Sequence, residues 1–174
     1  MHLETERLIL RKFEKTDAER MFLMDSHPEV MKYIGVPPLS DILETENNIK
    51  MIRQQYAEYG IGRLAVIEKE SGLLIGWSGL KLLTQKVNGY KNVYDLGYRF
   101  LPEYWGKGYA SESAKASLDF GFNGLKIDII YAHAHSENHA SNHILEKLGF
   151  RRTREFSEPD GICFWYELNR KDYL

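Results

Sequence analysis

LPEYWGKGYASES occupies Leu101–Ser113. A proline closes one pattern, two glycines stand two residues apart, and small polar residues open another pattern. Upstream, NVYDLGYRFL (92–101) reads as a strand that Pro102 ends. Downstream, GYASESAKASLDFGF (108–122) has helical spacing, and Ala110, Ala114 and Ser117 are small enough to let that helix lie close against a sheet. IDIIYAHA (127–134) is then a second strand. A strand, a helix and a strand in this order make a right-handed crossover, so the two strands are expected to be parallel neighbours.

The turn itself is suited to an anion. Gly106 and Gly108 carry no Cβ, so main-chain amides can approach a ligand closely. The first amides of the following helix have no partners inside it and point outward. Together they suit a phosphate or pyrophosphate, and Lys107 adds a charge. The competing reading is a tight strand-to-helix turn with no ligand. Two familiar phosphate loops fit poorly. The GxxxxGK[ST] pattern is absent, and Ser111 stands where a dinucleotide fingerprint needs its third glycine. Asp128 lies near the usual distance for a ribose-binding acid, but it starts its strand instead of following it.

Before this unit, ERLILRKF (6–13) reads as a strand, and Thr16 with Glu19 as a capping box for a first helix. Pro37–Pro38 break the chain. Ile49, Ile52, Tyr56 and Tyr59 form the stripe of a second helix that Gly60 stops. RLAVIEK and LLIGWSGLKLL flank a Ser71–Gly72 turn as a hairpin, and Asn88–Gly89 marks the next turn. HASNHILEKL (139–148) is a helix closed by Gly149, followed by FRRTREF and ICFWYELN as strands. The order is β-α-α-β-β-β-α-β-α-β-β, a mixed, mostly antiparallel sheet with flanking helices in a single domain over 1–174.

The chain carries 23 basic and 25 acidic residues, a formal net charge of −2, so no basic field calls for nucleic acid. Cys163 is the one cysteine, which rules out an intramolecular disulfide. No apolar run is long enough to span a bilayer, and MHLETERLIL is too polar for a signal peptide. A cytoplasmic protein without a membrane partner is expected.

HAHSENHASNH (133–143) holds four of the six histidines. His139 and His143 fall on the polar side of their helix, opposite Ala140, Ile144, Leu145 and Leu148. His133 and His135 share one face of the preceding strand. Uniting the two pairs on a metal would expose the leucines, and no carboxylate or cysteine spacing supports one. Solvated or structural histidines are expected, with a ligand-binding or catalytic His133 or His135 as the alternative.

The remainder of that stretch, SENHASNHILEKLGF, joins N-x-x-S to E-K-L-G-F. Here the chain resembles the Gcn5-related N-acetyltransferase (GNAT) superfamily, in the RimJ/RimL-like branch that acetylates protein N-termini. LETERLILRKFEKTDAE resembles that branch's first strand and helix. LGYRFLPEYWGKGYASES is similar to its fourth strand and acetyl-CoA loop, and NHASNHILEKLGF to its fifth-strand exit and following helix. One position departs: Trp105 stands where the superfamily loop, [QR]-x-x-G-x-[GA], has Gln or Arg.

The resemblance implies the GNAT fold, with parallel strands 4 and 5 splayed apart. It also implies acetyl-CoA as co-substrate, no metal, and an amine acceptor that attacks the thioester directly. Pantetheine would bond to main chain around Leu96, Tyr98 and Phe100. The pyrophosphate would sit on amides of Trp105, Gly106, Lys107, Gly108, Tyr109, Ala110 and Ser111, and Asn138 would hold the pantetheine arm. Ser141 stands where the branch places its proton donor, although a helix-start hydroxyl capping a main-chain group is the alternative. Asp95, just before the cofactor strand segment, is the first candidate base and Glu103 the second, unless either is only a surface carboxylate. The acceptor is expected to be a protein or peptide N-terminus, with a small amine such as a polyamine or aminoglycoside as the alternative. A silent acetyl-CoA-binding module is a further one. A monomer or a homodimer is compatible with all of these.

Overall fold

The computed structural model describes residues 1–173; Leu174, the last residue of the expected domain, lies outside the described residues. Eight strands form one sheet: β1 (His2–Glu4), β2 (Leu8–Arg11), β3 (Leu64–Glu68), β4 (Leu74–Leu83), β5 (Val93–Phe100), β6 (Ile129–His135), β7 (Arg151–Glu158) and β8 (Gly161–Asn169). Their spatial order is β1-β2-β3-β4-β5-β6-β8-β7. All neighbours are antiparallel except β5 and β6, which are parallel. The expected mixed sheet is therefore present, with the anticipated strands 4 and 5 as β5 and β6. The shift in numbering comes from β1, three residues too short and polar to register as a strand.

The helices are α1 (Ala18–Asp25), α2 (Pro28–Met31), α3 (Ile42–Tyr59), α4 (Tyr109–Asp119) and α5 (His139–Lys147). Gly60, at φ 69°, stops α3 and sends its N–H to Tyr56 O. Ile49 and Tyr56 of its stripe are buried, Ile52 is half-buried, and Tyr59 stands exposed at the helix end. The capping expected of Thr16 moves two residues earlier. Glu14 caps a short 3-10 turn (Lys15–Asp17) that leads into α1, and Asp17 accepts from Glu14 N at 2.8 Å. Asp17 takes that role because Arg11 grips both its oxygens at 2.8 Å, which anchors the turn to β2.

α4 and α5 cover one face of the sheet. There Leu80, Leu96, Ala114, Leu118, Ile130, Ala132, Leu145, Tyr166 and Leu168 form a core. α1 and α3 cover the opposite face over Ala65, Ile67 and Trp77, with Met21, Met24 and Ile49 packed in. Gly121 allows the turn after α4 to sit tightly on the sheet, since a Cβ there would fall 2.6 Å from Leu80 and 2.8 Å from Ile130. Among the described residues no helix is long and apolar enough to cross a membrane.

Candidate active site

β5 and β6 pair only through Tyr94↔Ile130 and Asp95↔Tyr131. Beyond that point β5 follows β4 as far as Phe100, while β6 follows β8 as far as His135. From Leu96 to Tyr98 the main chain therefore shows one unpaired edge to a widening gap. Buried polar main chain needs partners, so this edge suits an extended ligand carrying amides of its own. Tyr98 bridges the gap. Its hydroxyl donates to Ser141 O at 3.1 Å and lies 3.2 Å from Ser141 Oγ. Burial raises the Tyr98 phenol well above its ordinary range, so it stays protonated and able to donate. Asn138 caps α5, its Oδ1 accepting from Ser141 N–H at 3.1 Å. The capping weighed for the Ser141 hydroxyl thus belongs to Asn138.

At the end of β5 the chain passes through a 3-10 turn (Pro102–Tyr104) into the glycine loop. Gly106 (φ 72°) and Gly108 (φ 81°) are both left-handed, a conformation strained for any residue with a Cβ. Gly108 is the N-cap of α4, with no side-chain cap bond over it. The first internal bond of α4 runs from Glu112 N to Gly108 O, which leaves the amides of Tyr109, Ala110 and Ser111 without partners in the helix. The run of free amides begins later than Trp105, because the Trp105 N–H already donates to Pro102 O at 3.0 Å. The Trp105 indole is also engaged, donating to Phe100 O at 2.8 Å. Glu103 is exposed on the same turn and makes no side-chain hydrogen bond among the described residues.

A clamp unforeseen from sequence holds this loop. Arg7, between β1 and β2, donates to Lys107 O at 2.9 Å and pairs with Glu112 at 2.6–2.7 Å. Glu112 also accepts from Thr5 Oγ1 at 2.6 Å. A carboxylate in the first turn of α4 is thereby drawn aside and does not cover the free amides. Glu68 fixes the Tyr109 hydroxyl at 2.5 Å, and the Arg7 guanidinium lies over the Tyr109 ring.

The opposite face of β5 is polar. Asp95 is 1% exposed. Arg63 ion-pairs with its Oδ2, and Arg63 Nη1 also donates to the carbonyls of Asp95 and Gly79. His133 Nδ1 lies 3.3 Å from Asp95 Oδ1. Burial alone would raise the Asp95 carboxyl, but the Arg63 charge and the His133 contact outweigh it and hold it well below the usual carboxylate range. A carboxylate so occupied is a poor proton acceptor for a substrate. Gly97 makes the pair possible, since a Cβ there would fall 2.6 Å from Arg63 Nη2.

The histidines point to separate places. His133 stacks on Trp165 (centroids 5.9 Å apart, planes 16° apart), with Phe156 edge-on at 6.0 Å. His135 is buried, accepts from Glu137 N, contacts Asp160 O and stacks on Tyr33. His139 and His143 are exposed on α5. Among the described residues no group of three or more His, Cys, Asp or Glu side chains converges as a metal site would require. The structure thus gathers Leu96, Tyr98, Asn138, Ser141 and the loop glycines along one gap, and puts Asp95 behind it. Sequence reasoning passed over Arg63, Arg7 and the Tyr98 hydroxyl, because their partners lie far along the chain.

Residues 7–151 match the model of a family described as an acetyltransferase (GNAT) domain. A Bacillus licheniformis protein named uncharacterized N-acetyltransferase p20 is 34% identical over 98% of this chain and 97% of its own. Spermidine N(1)-acetyltransferase of Escherichia coli K12 is 28% identical over 81% of this chain and 71% of its own. The crystal structure of a GNAT-family acetyltransferase from Bacillus anthracis superposes with a TM-score of 0.83 at 30% identity, covering 98% of this chain and 99% of that one.

Proposed function

The chain belongs to the GNAT acetyltransferase family, and from that membership we propose that it moves the acetyl group of acetyl-CoA to the α-amino group of a peptide or protein N-terminus. The observation that carries this reading is the opening of β5 from β6 onto a glycine loop of free amides. The free edge from Leu96 to Tyr98 suits the amide-bearing pantetheine arm, and Asn138 stands at its far side. The amides from Gly106 to Ser111 suit the pyrophosphate. Tyr98 and Ser141 form the proton-donating side for the leaving thiolate. A main-chain amide of β5 would meet the oxyanion.

Two physical points favour an α-amine. An α-amino group has a pKa of about 7.7–8.0 against about 10.4 for lysine, so roughly a tenth of it is already neutral at pH 7. In addition, a polyamine needs a free carboxylate for each further ammonium. Among the described residues the three buried carboxylates, Asp17, Asp25 and Asp95, are each held by an arginine, Arg11, Arg99 and Arg63. The likeness to spermidine acetyltransferases supports the polyamine alternative. The RimJ/RimL-like branch, a single domain, a cytoplasmic setting and a monomer or homodimer belong to the same proposal.

Release of CoA thiol decides between these. Purified protein and acetyl-CoA are mixed with peptides bearing a free N-terminus, the same peptides blocked there but carrying lysine, spermidine and an aminoglycoside. Faster turnover of free N-termini, rising towards about pH 8, is expected. Turnover of spermidine alone would move the acceptor to small amines, and acetyl-CoA binding without any thiol release would make the chain a silent binding module.

A further inference from the structure

We propose that His133 takes the proton from the acceptor amine, held in place by Asp95, which Arg63 holds in turn. His133 has this role only if the gap transfers acetyl groups, as proposed above. Four observations converge on it. His133 lies two residues past the last paired position of β6, on the same side of the strand as Asp95's partner Tyr131, so it stands at the mouth of the gap. Its Nδ1 faces Asp95, and its Nε2 bonds to no group among the described residues. Its side chain is 35% exposed, whereas Asp95 is closed off. Its ring cannot swing freely, since it is stacked on the fully buried Trp165 and met by the edge of Phe156.

The order of the three groups sets their roles. Asp95 gives one oxygen to Arg63 and turns the other to His133. A carboxylate accepting from Nδ1–H fixes the tautomer that leaves the lone pair on Nε2, the nitrogen turned outward. Asp95 is thus a positioning residue. Glu103, exposed on the loop, makes no side-chain hydrogen bond among the described residues that would orient it. The charged groups around His133 are Asp95 on β5, Lys81 directly across from Asp95 on β4, Arg63 ahead of β3, Glu167 on the same side of β8 and Arg154 on β7. Burial and the Arg63 charge both lower the Lys81 ammonium, while the Asp95 charge raises it.

The step balances as follows. His133 Nε2 takes one proton from the ammonium of the acceptor. The neutral nitrogen attacks the thioester carbonyl carbon and forms the C–N bond. The C–S bond breaks with its electron pair on sulfur, the nitrogen loses a second proton, and one proton ends on the thiol. The imidazolium returns its proton to water. Ammonium and thioester become amide, thiol and one free proton.

The test uses the full chain with His133→Gln and His133→Ala. Acetyl-CoA affinity is measured by calorimetry, and thiol release with the amine panel is followed across pH. His133→Gln should bind acetyl-CoA as the parent does, lose roughly 10²-fold in kcat/KM, and lose the limb that falls towards acid pH. Added imidazole should restore part of the activity of His133→Ala, which a merely structural histidine would not allow. A His133→Gln protein with parental turnover and an unchanged pH profile overturns the assignment and leaves acetyl transfer standing. A parent protein that binds acetyl-CoA but acetylates no amine in the panel overturns both.

Discussion

Asp95 and Asp25 are both buried carboxylates facing arginines, yet burial leaves them on opposite sides of the ordinary range. Asp95 has Arg63 and His133 and is held low. Among the described residues Asp25 has only Arg99, at 2.9 Å, and its Oδ2 finds no partner, so burial wins and the group is raised. The signs for stability follow. A depressed carboxyl contributes stability that is present above its unfolded value, about 3.9, and is lost as pH falls through the folded value. A raised carboxyl contributes stability present below about 3.9 and lost as pH rises through its folded value. Asp95→Asn leaves Arg63 buried without a counter-charge and should cost about 3–5 kcal/mol near neutrality, which urea denaturation would measure. Asp25→Asn should cost less, and its cost should shrink as pH rises from about 4, whereas that of Asp95→Asn should not. A parallel trend for the two variants would contradict the geometry. Asp95 was visible in the sequence as an acid beside the cofactor strand. Its partner Arg63 stands 32 residues earlier, and no local pattern announces the pairing.

The strand, loop and helix around Gly106 and Gly108 were legible because each cue is local: alternation, a proline stop, two glycines and helical spacing. Elements fixed by distant contacts were not. β1 is held by pairing with β2, α2 is a single turn begun by Pro28, and the clamp on the loop joins residues 105 apart. Both parts of the loop can be tested. Gly108→Val places a branched side chain at φ 81° and should weaken acetyl-CoA binding at least about tenfold, or ~1.4 kcal/mol, by calorimetry. Arg7 is 42% exposed, so its ion pair is worth at most about 1 kcal/mol. Arg7→Ala should therefore weaken acetyl-CoA only several-fold. A loss as large as that of Gly108→Val would mean that Arg7 touches the phosphates itself.

Across the whole sheet, the last hairpin inserts β8 beside β6 and leaves β7 at the edge. Sequence order alone does not distinguish this from the reverse, because Cys163 and Trp165 on one face of β8 are as buried as Tyr166 and Leu168 on the other. A ligand in the gap would tie the β1–β5 half of the sheet to the β6–β8 half, which are joined by only two paired positions. Acetyl-CoA at a hundred times its Kd should add about 2.7 kcal/mol and raise Tm by about 5–10 °C in a domain of this size. Thermal unfolding would show this, and a tenfold weaker Gly108→Val should lose about half of the shift, or more, at the same concentration. The alternation of β5 has one more consequence. Leu96, Tyr98 and Phe100 look towards α4 and α5, while Asp95, Gly97 and Arg99 look the other way. The proton donor and the proton acceptor proposed here therefore belong to opposite faces of the sheet. Inserting one residue ahead of Tyr98 would exchange the two sides, joining what the strand now keeps apart.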